Sequence, residues 1–187
     1  MRTKCRISVT MVVKDVKNAM SAERSSTMSE PLLAKDRIVA SITRGEQLLY
    51  LLTLPDVRNS YFTDELLAMG VLFRVELIGR ECEYLDEALK AQYGSEAMWC
   101  YLADVTHNII YESATIDLEE ALKWIEEELP EVLNALKKIY GNKYGSTSIT
   151  ATDILKNKFL IPSTKDKIVK LLEDQQIDLT IPGNNML

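Results

Sequence analysis

Between residues 118 and 139 the chain repeats an apolar residue every four and then every three positions: Leu118, Leu122, Ile125, Leu129, Val132, Leu136, Ile139. No strand sustains that period, so the run constrains the fold to helices that bury a seam against another helix. Asp117 stands where an N-cap belongs, acids crowd the first turns, and Lys137, Lys138 and then Gly141 close the run, in keeping with the helix dipole and a glycine stop. Pro130 removes one backbone bond and predicts a kink. The seam fits either the chain's own core or a second subunit.

The same reading extends upstream. Ser29 caps a helix in which Ile38, Ile42, Gly45, Leu49 and Leu52 fall at helical spacing, ending before Pro55. A hairpin turning at Arg44-Gly45 is the rival. Thr63-Asp-Glu opens a further helix whose apolar face, from Leu66 through Val71, Ile78, Cys82 and Leu85 to Leu89, predicts one element to about Tyr93, stopped by Gly94. Ser95 caps the next, with Trp99, Leu102, Thr106 and Ile109 on one face, against a rival hairpin through His107-Asn108. Two short helices are predicted near 151–159 and 164–175. Short turns between four long helices make an antiparallel bundle the economical architecture. The expected class is therefore all-α, a four-helix-bundle-like core with two short C-terminal helices. Residues 5–14 alternate Ile7, Val9, Met11 and Val13 with polar residues, predicting a short N-terminal strand or extension. The expected organisation is a basic extension over 1–28, a helical core over 29–141 and a helical appendage over 142–187. Met28-Ser-Glu-Pro leads straight into a helix and offers an alternative start.

Charge narrows the function classes. The chain carries 22 Lys and Arg against 28 Asp and Glu, a net −6. Residues 1–29 hold Arg2, Lys4, Arg6, Lys14, Lys17 and Arg24 against Asp15 and Glu23, net +4, which leaves −10 on the rest. This argues against nonspecific nucleic-acid binding, which needs cations to neutralise phosphates. No apolar run approaches the roughly 18 residues of a membrane span. Three cysteines without C-x-x-C spacing point to a reduced, cytoplasmic protein, and the single His107 excludes a multi-histidine metal site within one chain.

Two stretches carry candidate chemistry. Glu81, Cys82, Glu83, Tyr84, Leu85, Asp86 and Glu87 set four acids within seven residues of an apolar helix. Leu102-Ala-Asp104-Val105 places an aspartate inside another. Carboxylates on facing helices are how a helical protein builds a site for a hard divalent cation. A solvated helix face is the plainer reading of the first group. Cys82 with His107 reads as a buried thiol and an edge histidine rather than a nucleophile and its base. Trp99, Tyr101, Tyr111 and Trp124 read as core rather than as a base-stacking set.

In order along the chain, Glu81 with Leu85, Glu87, Ala88 and Leu89, then Leu102-Ala-Asp104-Val105, then Ile116-Asp-Leu-Glu-Glu-Ala121 resemble the motifs of the all-α nucleoside triphosphate pyrophosphohydrolases, the MazG-like proteins and their phosphoribosyl-ATP pyrophosphatase relatives. The resemblance covers about residues 65–125. It implies Mg²⁺-dependent hydrolysis of a nucleoside triphosphate to a monophosphate and pyrophosphate, and a homo-oligomer. It implies Glu81 and Asp104 as metal ligands and Glu87 as ligand or base; Asn108, one turn beyond Asp104, and Arg80 would contact substrate. Arg80, Tyr84 and Tyr101 stand where the family pattern has acids. The frame is thus kept better than the ligands, and a non-catalytic binding or adaptor protein is the alternative.

Overall fold

A computed structural model describes residues 30–112, 115–177 and 179–181. The chain is all-α, and no strand occurs among the described residues. The strand expected over 5–14 and the basic extension over 1–28 lie outside them. Residues from Pro31 onward form one compact unit.

The first helix, α1 (Glu30–Thr53), is continuous through Arg44-Gly45, so the rival hairpin there is excluded. Gly45 lies inside it because a Cβ at that position would collide with Leu133. Pro55 ends α1 and opens a short α2 (Pro55–Tyr61). Asp64 then caps α3 (Glu65–Cys82), accepting from the amides of Leu66 and Leu67 at 2.9 and 3.2 Å. The single helix expected to reach Tyr93 is two. The amides of Tyr84 and Leu85 turn back to the carbonyls of Glu81 and Cys82, and Asp86 caps a separate α4 (Glu87–Tyr93). The apolar spacing runs on through this break, because Leu85 is buried from the turn itself. Ser95 caps α5 (Glu96–Tyr111), which excludes the second hairpin.

The seam is divided by Pro130. Asp117 caps α6 (Leu118–Glu127), and the single residue Glu128 separates it from α7 (Leu129–Tyr144). The expected kink is therefore a full break, since proline supplies no amide to carry the ladder across. Both halves keep the seam inside: Leu122, Ile125, Leu129, Val132, Leu136 and Ile139 are all buried within this one chain. The seam consequently gives no support to the expected oligomer. Gly141 does not end the helix. It lies in the last turn, where a Cβ would strike Ile181, and the left-handed cap falls to Gly145 at φ 62°.

α1 runs antiparallel to α3, pairing Arg37 with Glu81 at one end and Gln47 with Arg74 at the other. It also runs antiparallel to α7, where Glu46 meets Lys137 at 2.9 Å and Lys35 lies over the ring of Tyr140, 5.6 Å from its centroid. α3 and α5 approach closely at Gly79, where any side chain would collide with Thr106. The C-terminal segment packs against this bundle. It contains α8 (Ala151–Lys156), opened by a capping box between Thr150 and Asp153, a 3-10 turn over Pro162–Thr164, and α9 (Lys165–Asp174). Lys35 pairs with Asp153 at 2.7 Å, and the Asn157 amide donates to the Asp36 carbonyl at 2.7 Å. Among the described residues no helix is long and apolar enough to cross a membrane.

Candidate functional site

Glu81 is buried, and a buried carboxylate needs partners. Two arginines of α1, seven residues apart and so on one face, provide them. Arg37 donates to Glu81 Oε2, and Arg44 Nη1 lies 3.9 Å from Oε1. The Arg37 guanidinium is sandwiched by aromatic rings, 3.9 Å from the Tyr84 centroid and 4.4 Å from that of Phe159. Arg44 donates to the Phe159 carbonyl, while its Nη1 has no hydrogen-bond acceptor. Burial pulls the Arg44 pKa below its ordinary value; Glu81 acts against that and nearby Arg74 adds to it. Burial lowers Arg74 as well. Both oxygens of Glu81 thus face cations of the protein itself.

The other residues expected around a metal lie apart from this cluster. Glu87 is exposed in the first turn of α4 and pairs with Lys90 at 2.8 Å. Arg80 is exposed on α3, its guanidinium 2.8 Å from Glu76, one turn back. The turn at 83–86 divides the motif: Glu81 stays on α3, Glu83 and Asp86 lie in the turn, and Glu87 opens α4. Among the described residues, no three His, Cys, Asp or Glu side chains converge to hold a metal ion.

Asp104 and Asn108 are brought together, one turn apart on α5, where they line a cleft of about 220 Å³ against α6. Tyr101 and Glu112 extend the same α5 face, and α6 contributes Asp117, Glu120 and Trp124. Leu72, Val75 and Ile125 form an apolar floor. Asp117 is occupied in capping α6, accepting from the amides of Glu119 and Glu120 at 2.9 and 3.2 Å. The carboxylates of Asp104, Glu112 and Glu120 have no hydrogen-bond or ion-pair partner among the described residues, and no basic side chain lines the cleft. Tyr101 meets Trp124 edge-on, centroids 6.1 Å apart. Burial, Glu120 and Glu128 together raise the Tyr101 hydroxyl. Trp124 is only 4% exposed, and its indole Nε1–H has no acceptor.

The aromatic residues divide between the two readings. Trp124 belongs to the core yet walls the cleft, whereas Tyr101 is 40% exposed. The polar spacing of 101, 104, 108 and 112 on one helix face was the available signal for this site. Cys82 is buried and burial pushes its thiol up to about 12, so it keeps its proton at neutral pH. His107 is exposed and stacks on Tyr111, centroids 4.6 Å apart.

Compared with known proteins, the chain matches no family model, no curated protein and no solved structure. The likeness to the pyrophosphohydrolases rests on its three motifs.

Proposed function

We propose that this chain is a non-catalytic binding protein: it keeps the helical frame of the all-α pyrophosphohydrolases it resembles and binds its ligand in the cleft between α5 and α6. One observation carries the reading. Glu81, the acid that best matches the family's metal motif, is buried between Arg37 and Arg44. Releasing it to a cation would leave both guanidiniums without their counter-charge in a poorly solvated place, which is costly. Hydrolysis between the α and β phosphates would need Mg²⁺ to neutralise phosphate charge and orient water. Asp104 lines the α5–α6 cleft, which Glu81 does not, and among the described residues no three ligating side chains converge there.

The enzymatic alternative, with Glu81 and Asp104 as ligands and Glu87 as base, has one point in its favour. Asp104 and the candidate substrate contact Asn108 do share a cleft. Incubation with a panel of nucleoside triphosphates and Mg²⁺ separates the two readings. The binding reading expects no pyrophosphate above the protein-free control. Release that Asp104→Asn abolishes would overturn it.

A further inference from the structure

The seam at 118–139 is buried inside the chain; a second one, on α3, is not. Leu66, Gly70, Phe73, Leu77 and Arg80 follow one another at intervals of four, three, four and three, the spacing with which one helix packs along another. Val71, Leu72, Val75 and Ile78 bury the opposite face of α3 in the core. The second seam points outward: Leu66 is 85% exposed, Phe73 54%, and Met69 beside them 40%. A helix apolar on both faces is expected to be covered on both. From this face we infer that two copies of the chain pair through α3, antiparallel, about a two-fold axis midway between Gly70 and Phe73.

Gly70 points to a helix, rather than water, on that face. Glycine inside a helix is destabilising, and every other described glycine has a local reason. A Cβ at Gly45, Gly79, Gly94 or Gly141 would strike a neighbour, and Gly145 is left-handed. A Cβ at Gly70 would meet nothing within 4 Å among the described residues. The described packing of one chain therefore has no need of this glycine. A second helix laid close against α3 does need it.

The ends of α3 select the partner and its direction. Asp64 and Glu65 open the helix, both exposed, and Arg80 stands exposed near its close. Laid antiparallel on itself about the middle of the seam, the helix sets Gly70 opposite Phe73 of the second copy and Leu66 opposite its Leu77. Each phenyl ring then fills the space that a glycine leaves, twice by symmetry. Arg80 comes to the acidic first turn of the second copy, and the two helix dipoles oppose each other. A parallel pair would stack Arg80 on Arg80 and leave the two glycines facing one another. The face thus carries its own complement, large against small and cation against acid, so a copy of itself satisfies it.

Sedimentation equilibrium of the full chain between about 1 and 200 µM tests this. The mass should rise with concentration from that of one chain toward that of two. Leu66→Glu and Phe73→Glu, both at exposed positions, should each weaken pairing at least about tenfold, with circular dichroism in dilute solution unchanged. Gly70→Ala should raise the stability of the single chain yet weaken pairing several-fold, a split that a merely structural glycine would not give. Arg80→Gln should also weaken pairing. Tighter pairing in that variant would mean relief of Arg80 against Arg80 and would overturn the antiparallel direction. A mass of one chain throughout, or pairing that survives both glutamate substitutions, would overturn the inference. Neither outcome bears on pyrophosphate release or on the α5–α6 cleft.

Discussion

Two carboxylate regions on one bundle do opposite jobs. Around Glu81 the acid is buried, and every oxygen faces an arginine from α1. Around Asp104 three acids line an open cleft with no cation of the protein against them. The first arrangement answers its acid with the protein's own cations and links α1, α3 and the loop at Phe159. The second leaves charge unanswered, at little cost while water solvates it. Neutralising one member should therefore damage the fold in the first region and only the binding in the second.

The largest effect should follow Glu81→Ala. It strands Arg44 and Arg37, whose side chains are 12% and 22% exposed, and removing one partner of a buried pair typically costs about 3–5 kcal/mol. Urea denaturation checks this; a loss under about 1 kcal/mol would place the cluster among ordinary surface pairs.

Gly79→Ala comes next, since it acts on the α3–α5 crossing that lies between the two regions. The new Cβ collides with Thr106, whose hydroxyl is tied at 2.7 Å to the Leu102 carbonyl, and overpacking of this kind costs about 1–3 kcal/mol. Adding Thr106→Ala should restore part of the loss. If it restores nothing, the close approach is not the reason for the glycine.

A smaller effect depends on pH. Burial alone would raise Asp153, but its bonds to Lys35 and to the Thr150 amide and hydroxyl hold its carboxyl below the usual range. A depressed folded pKa means stability that is present above the unfolded value, about 3.9, and lost as pH falls through the folded one. Lys35, raised chiefly by its bond to Asp153, contributes below its unfolded value and loses that contribution as pH rises through the folded pKa. The pair is partly exposed, so no more than about 1 kcal/mol is expected from it. Comparing urea midpoints at neutral and acid pH should show a smaller drop for Asp153→Asn than for the parent; equal drops would remove this pair from the acid response.

The smallest change should come from the second region. Asp104→Asn and Glu120→Gln, both exposed and without partners among the described residues, should shift stability by no more than about 0.5 kcal/mol. A large loss at either would mean that the cleft acids are structural, and the contrast with Glu81 would collapse.

Much of the frame was legible in the residues. Pro55, Asp64, Ser95, Asp117 and Pro130 mark helix boundaries through local chemistry, a missing amide or a side chain that caps. Gly141 misled because a glycine in the last turn looks the same in sequence whether it caps a helix or clears space for Ile181. The break at Tyr84 and Leu85 was hidden because their apolar spacing continues the helical period. The candidate site was legible in part. Asp104, Asn108 and Glu112 share a face by spacing alone, but Glu120 joins them only through the packing of α6.

The sequence by itself determined the helices, their caps and the seam that buries α6 and α7, because those follow from period, propensity and hydrogen bonds within a few residues. Only the tertiary structure decided what the acids are for. Arg37 and Arg44 lie far from Glu81 along the chain, and their charge reaches it only once α1 folds antiparallel to α3. Electrostatic partnership depends on distance and burial in space, so a motif of acids reads alike in sequence whether it awaits a cation or already holds two.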